Sequence, residues 1–320
     1  MKNWKKFLLI SVFSTSLVAC GNTDQPVEEG TGMESSEGEN EEFPVTITDA
    51  TGEEILIKND PEKIISLIPS NTEILFEIGT GEDVIAVTDN DNYPEEVMDL
   101  EKVGGFEINV EKIIALEPDM VFAHESGLSS MESGLQQIKD AGITVLVVDD
   151  ASNFDEVYST IEFIGQATGF SEEALEVVGS MKNELEAIVE KTKTSDLTPS
   201  VFFEVSPSPE IYTAGSNTFL NEIVVMLNAE NAASDIEGWA MLNDEQIIDR
   251  NPEVIITTYG YYVENPIEQV LSRTGWESVD AIKNERVIDI HSDLVTRTGP
   301  RLVEGVEEVA KAIYPEVFTQ

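Results

Sequence analysis

The chain repeats itself. The segment Asn109-Val-Glu-Lys-Ile-Ile-Ala-Leu-Glu-Pro-Asp-Met-Val121 returns as Asn243-Asp-Glu-Gln-Ile-Ile-Asp-Arg-Asn-Pro-Glu-Val-Ile255, with the two starts 134 positions apart. In each copy an Asn caps a helix, an acid occupies its first turn, Ile-Ile forms the buried face, and a Pro stops the helix ahead of an apolar strand. The separation is domain-sized, so two similar lobes are expected. Equivalent placement in two lobes sets Glu111 and Glu245 at matching points on one face, as symmetric docking points for a partner. The alternative is that each acid merely favours the positive end of its helix, an effect of about 0.3–1 kcal/mol.

The chain around the repeat alternates strand and helix. Val45 to Ile57 alternates apolar and polar residues around Thr51-Gly52, which predicts an edge hairpin. Lys63 to Ile68 is a short buried strand running into Pro69-Ser70-Asn71-Thr72-Glu73, where Ser70 and Glu73 have capping-box spacing ahead of a helix over Ile74–Ile78. Further strands are expected at Val84–Thr88, Met120–Ala123 and Thr144–Val148, with a helix around Met131–Ala141. From Asn153 to Thr194 nearly everything is helix-forming, broken only near Gly169-Phe170-Ser171, and Ser171–Thr194 reads as a stiff helical spacer joining the lobes. The second lobe follows with strands Val201–Val205, Ile211–Thr213, Val254–Thr258 and Val287–Ile290, helices Thr218–Leu227 and Pro300–Ile313, and an aromatic loop at Tyr259, Tyr261 and Tyr262. The expected fold is α/β: two Rossmann-like lobes, each a mainly parallel sheet with flanking helices, joined by one long interlobe helix. Its boundaries are 44–152 for the first lobe, 153–195 for the helical connector and 196–320 for the second lobe.

The N-terminus sets the compartment. Lys2, Lys5 and Lys6 precede the apolar run Phe7 to Val18, an export signal over residues 1–19 that is too short for a stable membrane span. Its ending, Leu17-Val18-Ala19-Cys20, resembles the lipobox of bacterial lipoproteins, in which cleavage leaves the Cys lipidated at the new N-terminus. Cys20 is the only cysteine, so the folded part can form neither a disulfide nor a cysteine nucleophile. Several acyl chains would hold the protein on a membrane surface, where a single chain binds only marginally. Residues 20–43 carry eight Asp or Glu and no Lys or Arg, and read as a disordered, self-repelling acidic tether. A formal net charge of −45 excludes nucleic acid as a partner and suits a surface exposed to high salt or alkaline medium.

Several motifs, taken together, resemble a known class. Ile-Pro-Ser70-Asn-Thr-Glu73-Ile-Leu-Phe, Asp91-Asn-Tyr-Pro94, Val103-Gly-Gly-Phe106 and the repeat are similar to the cobalamin and iron-siderophore class (class III) of ABC-importer substrate-binding lipoproteins, and within it to the cobalamin-binding branch. The resemblance covers residues 44–318. It implies two α/β lobes joined by one long helix, a ligand held in the cleft between them, little opening, and delivery to a membrane permease driven by a cytoplasmic ATPase. In that class the acid of each repeat pairs with permease arginines, and those positions here are Glu111 and Glu245. The aromatic residues that grip the corrin ring correspond by the resemblance to Asn90, Phe106, His124, Tyr212 and Trp239, of which Asn90 and His124 are not Phe, Tyr or Trp.

Two further positions are open to two readings. His124 ends a strand at the cleft edge, either facing the ligand or a metal it carries, or simply hydrogen-bonded at the surface. Arg297 and Arg301, two of five arginines, stand at the start of a helix, the end that disfavours cations, so something must hold them there. Either neighbouring acids do so, or Arg297 reaches into the cleft to bind ligand with Asp293 orienting it, while Arg301 packs.

Catalytic signatures are missing: there is no Gly-x-Ser-x-Gly elbow, no phosphate-binding loop and no His-Glu-x-x-His, and the two histidines are far apart. The expectation is a monomeric, non-enzymatic binding lipoprotein with no catalytic residue, resident metal or cofactor, on the outer face of the cell membrane. Its ligand would be a metal-chelate nutrient carrying cobalt or iron, a corrinoid by the resemblance, with a ferric siderophore or haem as the alternative. A non-transport surface sensor or adhesion module is the rival from another class.

Overall fold

The computed structural model describes residues 43–318, so the signal segment, Cys20 and the tether lie outside the described residues, apart from Phe43, which already packs against the core. The described residues belong to one compact unit.

In the first lobe, β1 (Val45–Thr48) and β2 (Glu54–Ile57) form the expected antiparallel hairpin. They are followed by β3 (Ile64–Ser66), α1 (Pro69–Glu77), β4 (Val84–Val87), β5 (Glu101–Lys102), α2 (Val110–Ala115), β6 (Met120–His124), α3 (Leu128–Asp140) and β7 (Thr144–Val148). The five later strands make a parallel sheet in the order β5-β4-β3-β6-β7. Two helices, α4 (Phe154–Thr168) and α5 (Ser171–Thr192), come next. The second lobe contains β8 (Ser200–Glu204), β9 (Ile211–Ala214), α6 (Phe219–Met226), β10 (Glu230–Asn231), β11 (Trp239–Leu242), α7 (Asp244–Arg250), β12 (Val254–Thr257), α8 (Pro266–Leu271), α9 (Asp280–Lys283) and β13 (Val287–Asp289). The chain closes with α10 (Ser292–Thr296), α11 (Leu302–Ile313) and the short α12 (Pro315–Phe318), which the sequence reading did not foresee. The second parallel sheet runs β10-β8-β12-β13. With β3, β4, β6 and β7 set against β8, β10, β12 and β13, the two sheets have the same strand order. The internal repeat therefore extends to topology.

It also extends to backbone conformation. Asn109 accepts a hydrogen bond from Lys112 N at 3.0 Å, and Asn243 accepts one from Gln246 N at 2.9 Å. Both repeat helices end on a left-handed residue just before the Pro, Glu117 at φ 51° and Asn251 at φ 44°. The acid after each Pro then fixes the register of the neighbouring strand. Asp119 Oδ2 accepts from Lys63 N at 2.9 Å, and Glu253 Oε2 accepts from Ser200 N at 2.9 Å. Asn tolerates the left-handed region far better than Glu. Glu117→Asn should therefore stabilise the fold by roughly 1 kcal/mol, read as a higher midpoint in urea, and Asn251→Glu should cost a similar amount.

Strand alternation divides the apolar residues among three cores. Ile65, Val121, Val145 and Val147 face a cluster private to the first lobe, and Phe202, Ile255 and Val287 face one private to the second. The opposite faces, with Ile64, Met120, Phe122 and Leu146 from one sheet and Val201, Phe203, Val254 and Ile256 from the other, join a single cluster with α4, α5 and α11. Parting the lobes would expose this shared core to water, which opposes wide opening. The long connector is accordingly not a free-standing spacer. The apolar stripe of α5, Ala174, Val178, Met181 and Ile188, is buried, and the helix packs along both α4 and α11. Gly165 makes the α4 contact possible, since a Cβ there would stand 2.4 Å from that of Ala174.

Candidate functional site

In parallel α/β sheets, ligands collect at the carboxyl ends of strands. Five of the sequence-predicted contact residues lie on strand ends or on the segments that follow them at that edge. Asn90 follows β4, Phe106 follows β5, His124 ends β6, and Asp293 with Arg297 follows β13. Tyr212 and Trp239 sit on an antiparallel ribbon of β9 and β11, of which the sequence predicts only the first strand, since the lead-in Glu237-Gly238 to the second is polar. The alternation in Trp239-Ala240-Met241-Leu242 is the signal that would have found the strand. One face of this ribbon, Ile211 and Leu242, packs into the second-lobe core. On the other face Tyr212 is paired with Met241, and Trp239 lies two residues along. All three are exposed, at 43, 57 and 55 %. Met241 was not singled out from the sequence.

On the first lobe the loops after β4 and β5 support each other. Asp89 N donates to Gly104 O at 2.9 Å, and a Cβ on Gly105 would lie 3.5 Å from the Asn90 amide nitrogen. Gly104 has φ +100°, and a side chain there would meet Glu107 O at 2.3 Å. This turn projects Phe106, which is 87 % exposed. A phenyl ring that open has no structural employment in the free protein.

The lobes meet at one buried ion network. Ser70 and Glu73, expected to form a capping box, do not: α1 begins at Pro69, its cap residue Ile68 offers no side-chain bond, and Glu73 lies inside the helix at 3 % exposure. Proline's fixed φ and missing N–H suit the first helical turn, so the start moved upstream. Glu73 instead accepts from Arg297 Nη1 at 2.9 Å, from Arg301 Nε at 2.9 Å and from Arg301 Nη2 at 2.7 Å. Arg297 also reaches Asn92 Oδ1 at 2.7 Å and Asp293 Oδ2 at 2.9 Å. Arg301 stacks over Tyr93 at 3.8 Å. The two arginines do not open one helix, as the sequence suggested. Arg297 ends α10 and Arg301 precedes α11, and acids hold both. Asp91, in the same Asp91-Asn-Tyr-Pro94 motif, anchors the loop by accepting from Thr88 N at 2.8 Å, and burial pushes its carboxyl up against that bond and the charge of Lys102.

His124 lines a hollow of about 220 Å³ with Ser70, Ser126, Asp150 and Arg297. Its Nδ1 lies 2.8 Å from Ser126 Oγ and accepts from Ser126 N at 3.3 Å. Both bonds engage Nδ1 and the ring is buried, so it is hydrogen-bonded as the second reading expects but does not lie at the surface. Burial lowers its pKa, against the opposing pull of Asp150, Glu125 and Asp149. A histidine kept neutral in the fold binds fewer protons than in the unfolded chain. Its contribution to stability is full above the unfolded pKa of about 6.5 and is lost as pH falls below it toward the folded value. A His124→Gln variant should show a shallower loss of unfolding free energy between pH 7 and 5 than the parent, measured by urea titration.

Glu111 and Glu245 occupy the same place in equivalent helices, each two residues past its Asn cap and each exposed. Both helices run into the strand that neighbours the first strand of its sheet, so both first turns stand at the carboxyl edge. Among the described residues neither carboxylate has a hydrogen-bond or ion-pair partner.

A profile of the family described as periplasmic binding protein matches residues 64–294. The chain belongs to that family. An uncharacterized ABC transporter substrate-binding lipoprotein, YvrC of Bacillus subtilis, is 48% identical over 99% of this chain and 98% of its own. A vitamin B12-binding protein of Vibrio campbellii is 30% identical over 84% of this chain and 94% of its own. A solved structure described as a possible iron-binding (periplasmic solute-binding) protein from Staphylococcus epidermidis superposes with a TM-score of 0.74 at 38% identity, over 80% of this chain and all of that one. This periplasmic binding protein is thus the substrate-binding component of an ABC transporter and not an enzyme. No described helix is long and apolar enough to cross a membrane.

Proposed function

We propose that this binding protein captures a corrinoid between its lobes and hands it to a permease with a cytoplasmic ATPase, tethered through lipid on Cys20 to the outer face of the membrane. The observation that carries the ligand assignment is the commitment of every arginine. Arg250 pairs with Asp235, Arg273 with the fully buried Glu204, and Arg286 caps the carbonyls of Ala312 and Ile313. Arg297 and Arg301 are neutralised by Glu73 and Asp293. Lys102, at the end of β5, donates to the carbonyls of Asp91 and Val97. Anionic ferric catecholates call for a cluster of unpaired cations, and haem for partners to two carboxylates. Exposed Phe106, Tyr212 and Trp239 instead offer apolar faces to a bulky, weakly charged ring, with Arg297 left to orient one of its amides. The metal travels inside the ligand, and the protein holds no cofactor of its own.

After signal removal the chain keeps two tryptophans, Trp239 exposed and Trp276 buried, so fluorescence quenching reports on the cleft. Titration with cyanocobalamin, haemin and a panel of ferric siderophores should give a corrinoid Kd below about 10 μM, or about −6.8 kcal/mol. Preferential binding of haemin or a siderophore would replace the corrinoid reading.

A further inference from the structure

One group of aromatic side chains at the carboxyl edge of the second lobe has no part in the site described so far. Tyr261 and Tyr262 lie on the loop after β12 and are 60 and 57 % exposed. They meet edge to face with ring centres 4.7 Å apart, and Tyr262 leans toward the buried Tyr259 at 6.3 Å. On the other side the Tyr261 ring lies 5.3 Å from that of His291. His291 is itself fixed, because its Nδ1 accepts from Asp293 N at 3.2 Å, and Asp293 holds Arg297 at 2.9 Å. The pair is therefore preorganised by its neighbours and continuous with the cleft through His291, Asp293 and Arg297. It is also distinct from the ribbon that carries Tyr212, Trp239 and Met241, which leaves the sheet after β8, the strand beside β12.

Two separate aromatic contacts on one lobe exceed what a single ring face requires. Resting on the corrinoid reading above, we infer that Tyr261 and Tyr262 receive a second, smaller flat group carried by the same ligand, the nucleotide base of a complete corrinoid. The chemistry is that of a base on an aromatic platform: every nucleobase-like ring has a π face, and stacking needs no charged partner. Specificity follows, because a corrinoid that has lost its nucleotide keeps the large ring for Trp239 and Tyr212 and leaves the tyrosine pair bare.

The test compares cyanocobalamin with dicyanocobinamide, which keeps the corrin ring and lacks the nucleotide, by isothermal titration calorimetry. The parent protein should bind cyanocobalamin about tenfold more tightly than dicyanocobinamide. Tyr261→Ala/Tyr262→Ala should abolish that preference by weakening cyanocobalamin alone, Tyr261→Phe/Tyr262→Phe should retain it, and Trp239→Ala should weaken both ligands together. Equal affinities in the parent, or an alanine variant that weakens both alike, would overturn the inference and leave the corrinoid reading standing. Binding of neither corrinoid would overturn that reading and this inference with it.

Discussion

Glu73→Ala should lower the unfolding free energy by about 3–5 kcal/mol, the largest loss expected from any single substitution discussed above. The carboxylate is 3 % exposed and takes three hydrogen bonds from two guanidinium groups. Removing it strands both charges in a partly dry joint where Asp293 remains paired with Arg297 and Arg301 keeps only the more distant charge of Glu304. Unpaired buried charge costs far more than the net worth of the pair, which is why the expected loss exceeds that of a surface bridge such as Lys193 with Glu190. Glu73→Gln keeps the shape and an acceptor oxygen and should lose less. Urea unfolding of the three proteins checks the ranking, and a loss under about 1 kcal/mol for the alanine variant would mean that the joint is open to water. The same variant frees Arg297 from one of its anchors, so it should also weaken ligand binding.

Glu111→Ala with Glu245→Ala should abolish ligand uptake by cells while leaving ligand affinity in solution unchanged. Both acids are exposed, sit in the first turns of equivalent helices, and have no partner among the described residues. Exposed ion pairs add little affinity individually, and their strength lies in register and encounter rate, which salt screens. Each single variant should therefore slow uptake, and the pair should eliminate it because the protein would then lack a second point to fix its orientation. Affinity measured by fluorescence and uptake measured with labelled ligand separate the two roles. A double variant that loses affinity would place the acids in the cleft.

Much of this was legible in the sequence because duplication makes a pattern visible. The Asn cap, the Ile-Ile face and the Pro stop recur in both copies, and they locate two helices, two strands and the pair of exposed acids. Short buried strands such as Ile64–Ser66 and Val254–Thr257 were found by their apolar runs. What escaped notice depends on partners distant in the chain. Glu73 has the spacing of a cap, and nothing local says that arginines more than two hundred residues away will claim it. Asp119 and Glu253 look like ordinary surface acids until strand pairing brings Lys63 and Ser200 beside them. β11 was obscured by its polar lead-in, and with it Met241, whose place opposite Tyr212 exists only once the ribbon forms.

The central claim is that the cleft grips a weakly charged ring by aromatic burial and not by free cations, and salt tests it most directly. Cyanocobalamin affinity, measured by isothermal titration calorimetry at 0.1 M and 1 M NaCl with parent and Trp239→Ala proteins, should change less than about twofold with salt, because apolar contact is not screened, and should fall about tenfold or more on removing the indole. Tight binding of an anionic chelate that collapses in 1 M NaCl, with Trp239→Ala behaving like the parent, would contradict it.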